Sequence, residues 1–233
     1  MSEDFQLRRH RRARRVTLRV KPDASLVVTA PPRVPERVIR EFIAERAEWI
    51  DSARERLRAV QDRRPEHLNA THPERIELPA VDRVLSVRYR DGNRLRWRAR
   101  ESEVIELTGA EAPADARALL VDVLKTAARG SLEPRVREFA ETHALQPGRI
   151  TWRNQKSRWG SCSTNANLSL NVRLLLLDRE VCDYVLLHEL AHLEHPNHSM
   201  AFWAKVETMC PDYRLREREL KAASRAMPVW VTG

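Results

Sequence analysis

No stretch of the 233 residues approaches the ~20 uninterrupted apolar residues that a membrane-spanning helix needs. The N-terminal MSEDFQLRRHRR carries no apolar segment after its charges, so no secretory signal is expected. Cysteine is sparse: Cys162, Cys182 and Cys210 form an odd set at wide spacings, with no CxxC pair. That argues against a disulfide framework and a second, structural zinc site, and it places reduced thiols in the cytoplasm. Internal repeats and low-complexity segments are absent beyond one arginine run. So are a P-loop and an acidic cluster suited to Mg²⁺.

What remains is a chain able to fold and well solvated, with 42% apolar and 32% charged residues and mean hydropathy -0.57. Its length suits one domain, or one with a smaller appendage. Charge is uneven: residues 1–64 hold 17 Lys/Arg against 10 Asp/Glu, a large part of the total +9. The densest run is Arg8-Arg9-His10-Arg11-Arg12-Ala13-Arg14-Arg15. A phosphate-binding footprint for nucleic acid is one reading. Few aromatics interleave with these arginines for base stacking, so a solvated strand and loop is preferred.

The pattern predicts an α+β fold. Residues 16–20 and 26–28 alternate as a hairpin about Pro22-Asp23-Ala24-Ser25, and a long helix spans 35–57. Residues 62–75 read as a loop with His67 and His72 facing solvent. Short strands follow at 75–78, 84–89, 94–98 and 104–107, with Asp91-Gly92-Asn93 as a hairpin turn. The first 108 residues therefore form a small β layer carrying one long helix. Residues 109–233 are expected to form the second, metal-binding catalytic subdomain. Its helical region at 112–145 is expected to break or bend at Gly130 and Pro134. Strands are expected at 150–154, in Arg158-Trp159-Gly160-Ser161-Cys162-Ser163 and in Asn167-Leu168-Ser169-Leu170-Asn171. A helix over 179–194 follows, with Asp178 as its cap and Asp183-Tyr184 on its exposed side.

That helix carries His188-Glu189-Leu190-Ala191-His192. Residues four apart share one helix face about 6 Å up the axis, so two imidazoles at this spacing can grip one ion. Glu189 projects from nearly the same side and can take a proton from an activated water. Pro196 stops or bends the helix, and His198 lies six residues beyond His192. A straight helix cannot supply three ligands at tetrahedral angles, because its turns recede by ~5.4 Å. His198 is therefore preferred to His195 as third ligand. The spacing HExxHxxHxxH also matches the metzincin pattern, except that His195 stands at the turn glycine and no Met-turn follows.

Three further segments accompany this motif: RWGSCS at 158–163, LNVRL at 170–174 and Pro211-Asp212-Tyr213. Together with YVLLHELAHLEHPNHSMAFW, they make the chain resemble the YgjP-like metallopeptidases, relatives of the SprT-like zinc proteins. The resemblance implies one Zn²⁺ bound by His188, His192 and His198, with Glu189 as general base. It also implies a zincin-like, minigluzincin-like core of mixed sheet packed on the HExxH helix, with the RWGSCS strand beside that helix. By analogy with other zincins, the strand's exposed edge can pair with an extended peptide.

Arg158 and Arg173 are candidates to hold a carbonyl, carboxylate or phosphate oxygen, or else to make structural ion pairs. Trp159 is either core or a substrate platform, and Phe202-Trp203 are read as packing. The reading is a cytoplasmic zinc hydrolase, a metallopeptidase acting on a peptide or protein. A metal-dependent nucleotide phosphohydrolase using Arg158, Arg173 and the N-terminal arginines is the alternative, and a DNA-associated protease is the third.

Overall fold

The computed structural model describes residues 5–20, 25–62, 66–101 and 103–232. The chain divides into two compact units, Met1–Pro65 and Glu66–Gly233. Residue 108, where the sequence pattern divides the chain, ends a strand inside the second unit. The architecture is α+β, and no helix among the described residues is long and apolar enough to cross a membrane.

In the first unit, β1 (Phe5–Arg9), β2 (Thr17–Val20) and β3 (Leu26–Ala30) form a sheet ordered β1-β3-β2. The expected β2–β3 pairing forms, antiparallel, while its turn at 21–24 lies outside the described residues. The arginine run begins within β1 and continues as a loop, the preferred reading, but the parallel pairing of β1 with β3 was not foreseen. Its Arg9 is structural, since Nη1 donates to the carbonyls of Pro31, Pro32 and Val34 at 3.3, 2.9 and 2.8 Å. The expected helix over 35–57 is two helices, α1 (Glu36–Ala44) and α2 (Ala47–Asp62). Between them Arg46 N–H bonds back to Ile43 O, a tightened i→i−3 turn that interrupts the helical ladder. Leu26, Val28, Ile39, Ile43 and Ile50 close the core of this unit.

The second unit opens with a short helix, α3 (Glu66–Asn69), within the stretch read as a loop. His72 is half-buried rather than solvent-facing, its Nε2 lying 3.0 Å from Ala110 O. Strands β4 (Arg75–Leu78), β5 (Arg83–Arg90), β6 (Arg96–Glu101) and β7 (Val104–Thr108) follow as expected. Their pairing does not, because the order is β4-β5-β7-β6 and Asp91-Gly92-Asn93 joins strands that are not neighbours. The apolar strand takes the inner place: β7 buries Ile105 and Leu107, whereas β6 reads RWRARE and is mostly exposed at the edge.

Helix α4 (Pro113–Thr142) runs unbroken past Gly130 and Pro134. A proline ring inside a helix collides with the carbonyl four residues back, here that of Gly130, and removes one hydrogen bond. Burial of Leu120, Leu124, Ala128, Leu132, Val136 and Ala140 along one stripe outweighs that loss. Beyond it, β8 (Ile150–Arg153), β9 (Gly160–Cys162) and β10 (Leu168–Asn171) form a second sheet ordered β8-β10-β9. β10 pairs in parallel with β8 and antiparallel with β9, which leaves β9 at the edge. A 3-10 turn over Val172–Leu176 leads into α5 (Arg179–Ala191), followed by α6 (Met200–Met209), α7 (Tyr213–Arg225) and α8 (Val229–Thr232).

Leu124 is wholly buried, so Leu124→Ala should cost about 2–5 kcal/mol through lost burial and a residual cavity. Urea unfolding of the full chain measures it.

Candidate metal centre

Helix α5 is apolar on almost every side, burying Val181, Cys182, Tyr184, Val185, Leu186, Leu187, Leu190 and Ala191. Asp183 and Tyr184 are therefore not on an exposed face. Asp183 pairs with Arg135 of α4, and burial pushes its carboxyl up to about 6 against the pull of that arginine. Tyr184 is buried and lines the cleft beside His188, a role the sequence pattern did not signal. Asp178 stands at the N-cap without a side-chain bond, so the expected cap is positional only.

The helix ends at Ala191, one turn earlier than its apolar pattern suggests, and His192 is its C-cap. The N–H groups of Glu194 and His195 both turn back to Ala191 O before Pro196 redirects the chain. Ser199 then caps α6, its hydroxyl accepting from Phe202 N–H at 3.4 Å. This corner returns His198 to the helix face it left. His188, His192 and His198 converge, with one nitrogen from each within 4.8 Å of the others. His188 Nε2 and His198 Nε2 are 3.1 Å apart.

His195 does not join this group. Its backbone carbonyl lies 3.0 Å from His192 Nδ1. A proton on Nδ1 donated to that carbonyl leaves Nε2 as a free lone pair, the tautomer a metal ligand requires. Aromatic rings of α6 wedge the imidazoles: Phe202 stacks on His192 at 4.5 Å between centroids, and Trp203 on His198 at 5.7 Å. Phe202 and Trp203 therefore pack, as expected, but what they pack against is the histidine cluster. Burial and the neighbouring imidazoles push His188 down to about 3, which keeps it neutral.

Glu189 is 6% exposed, and its Oε2 has no hydrogen-bond partner. Burial pushes its carboxyl up to about 7, partly offset by the Arg158 charge. A buried carboxyl with an unpartnered oxygen costs stability, which marks a working group better than a structural one. Room for it comes from Gly160 of β9, where an added Cβ would stand 2.5 Å from Glu189 Cγ. A cleft of about 400 Å³ opens here, with Arg158, Trp159, Tyr184 and Leu220 among its walls. Trp159 is partly core and partly wall, its indole N–H donating to Ser224 of α7 at 3.2 Å.

Arg173 takes the structural one of the two roles that the sequence leaves open to it. It is 7% exposed, does not line the cleft, and donates from Nε to Asn154 Oδ1 at 2.9 Å. Burial lowers its pKa, and its place is structural. Tyr213 is buried and stacked on Trp203, which agrees with packing.

The donor set fits a resident divalent ion. Nitrogens sharing a tetrahedral ion at ~2.0–2.1 Å stand roughly 3.3 Å apart, close to the His188–His198 separation of 3.1 Å. Three converging imidazoles beside a buried carboxyl and an open cleft define the centre of a metal-dependent hydrolase. The family model for the YgjP-like metallopeptidase domain matches residues 14–223, and the chain belongs to that family. Two solved structures are similar over part of the chain. One is the metallopeptidase zymogen of Pyrococcus abyssi abylysin, 25% identical, covering 42% of this chain and 98% of that one at a TM-score of 0.37. The other is the zymogen of Methanocaldococcus jannaschii jannalysin, 22% identical, covering 39% and 97% at a TM-score of 0.34. No curated protein matches.

Because the carboxyl of Glu189 fills the space over Gly160, Gly160→Ala should overpack the cleft wall. A loss of about 1–3 kcal/mol in urea unfolding is expected, and unchanged stability would mean that β9 yields freely.

Proposed function

We propose that the protein is a zinc-dependent peptidase in which His188, His192 and His198 hold the ion and Glu189 is the general base. The observation that carries this reading is the convergence of three imidazoles beside a buried carboxyl whose Oε2 has no protein hydrogen-bond partner. When bound, Zn²⁺ supplies Lewis-acid polarisation of the scissile carbonyl and lowers the pKa of water to about 7. Glu189, buried and held beside Gly160, accepts the proton of the attacking water. It then passes that proton to the departing amine, so one carboxyl serves both halves of the reaction. Arg158 lines the same cleft and offers positive charge toward the developing oxyanion. Tyr184, whose phenol burial keeps protonated, adds a hydroxyl to that wall.

The substrate class follows from β9. Among the described residues it pairs with β10 on one side and with no strand on the other. An extended peptide laid along that edge adds main-chain hydrogen bonds beside Glu189. Clamping a triphosphate requires several cations at the cleft. Arg158 lines it and Arg173 does not, which favours the peptide over the nucleotide. Cys162, Cys182 and Cys210 are unpaired thiols, which suits the cytoplasm.

Glu189→Gln should bind Zn²⁺ at wild-type stoichiometry and lose about 10²- to 10⁴-fold in kcat. Metal analysis and cleavage of a quenched-fluorescent peptide library test this. An active Glu189→Gln protein would remove Glu189 from the chemistry. His192→Ala should instead lose the ion, and stoichiometric Zn²⁺ in that variant would exclude the proposed ligand set.

A further inference from the structure

Asn171, the last residue of β10, is 1% exposed and lies outside the cleft lining. Its Nδ2 donates to two backbone carbonyls, Gln155 O at 2.8 Å and Arg158 O at 2.9 Å. Its Oδ1 accepts from Arg173 N–H at 3.2 Å, and its own N–H donates to Trp159 O at 2.9 Å. Two carbonyls converging on one atom call for a nitrogen with two protons, and among residues of this size only asparagine supplies it. A carboxylate of the same shape would leave both carbonyls buried against like partial charge.

The backbone so held, residues 155–159, is the approach to β9 and to the wall facing Glu189. Asn171 grips the backbone carbonyl of Arg158 itself, and Gly160 follows two residues later against the Glu189 carboxyl. Arg173 braces the arrangement from behind: its Nε reaches Asn154 Oδ1, and Asn154 Nδ2 donates to Val231 O at 2.9 Å. The network therefore ties α8, the end of β8 and β10 to a loop whose last residues, Arg158 and Trp159, line the cleft.

We infer that Asn171 is a positioning residue for hydrolysis, fixing the 155–159 loop so that Arg158 and the Gly160 backbone stand in register with Glu189. This rests on the reading of Glu189 as the base. It also gives Arg173 its task, which is support of that loop.

The test is Asn171→Asp, with Asn171→Ser as the variant that keeps one donor. Steady-state kinetics use a quenched-fluorescent peptide cleaved by the Zn²⁺-loaded wild type. Amide hydrogen exchange is followed in both Zn²⁺-free and Zn²⁺-loaded protein. Asn171→Asp should lower kcat about 10- to 100-fold, as misplaced catalytic groups do. KM should stay within about twofold, because the lost contribution belongs to the transition state. Zn²⁺ stoichiometry should match wild type, and exchange should quicken at 156–160 while α4 stays protected. Asn171→Ser should fall between. In a Glu189→Gln background, Asn171→Asp should lower the residual rate little further, because the two act through one group.

Wild-type kcat with unchanged exchange at 156–160 would overturn the inference. So would faster exchange spreading through α4 and α5 with loss of Zn²⁺, which marks general destabilisation. Should Asn171→Asp fail to fold, the same readouts on Asn171→Ser decide. A wild type that cleaves no peptide sinks the peptidase reading alone. Local exchange at 156–160 then still decides whether Asn171 holds the loop.

Discussion

A buried carboxyl group with one oxygen left without a hydrogen-bond partner is the constraint around which the second unit is arranged. Glu189 sits on a helix whose other sides are apolar and packed, so its side chain has one direction left to go. That direction is across the backbone of an edge strand, where only a residue without a Cβ leaves room. Desolvation raises the carboxyl toward neutrality, and Arg158 at the cleft keeps it from rising further. Stability given up at this one group is recovered elsewhere, chiefly in the core that α4 and α5 share with both sheets of the unit.

The imidazoles are held by a complementary logic. Each lies against an aromatic ring of α6, and the chain that carries His198 is turned back by Pro196 and capped by Ser199. One carbonyl, that of His195, selects the tautomer of His192. Packing and hydrogen bonding that fix side-chain rotamers in this way lower the cost of closing such a cluster around an ion. The opposite wall is ordered by polar means, through Asn171, Asn154 and Arg173. Apolar wedges on one side and a satisfied amide network on the other leave the cleft between them as the open space.

Much of this was legible in the residues, and the failures have identifiable physical causes. The HELAH spacing and the proline before His198 carry local geometry, so the three histidines could be placed together from pattern alone. Local chemistry also located β4 to β10. Pairing was misread where proximity in sequence competed with burial: the Asp91-Gly92-Asn93 turn suggested a β5–β6 hairpin, yet the apolar β7 took the place between them. Pro134 was read as a break, but one buried stripe spans the whole of α4. Tyr184 was read as exposed because helical spacing alone cannot show that a helix is covered on every side. Arg173 stays open between anion ligand and structural ion pair at the level of sequence, because its charge is visible there while its burial is not.

By itself, the sequence determined the histidine-bearing helix, the turn after it and the α+β character of the chain, because each depends on interactions within a few residues. Only the tertiary structure decided the strand order, the contact of Glu189 with Gly160 and the side of the sheet on which Arg173 lies. It also decided that one asparagine, unremarkable in the sequence, holds the cleft wall. These depend on which groups lose water together, and that is settled between segments far apart in the chain.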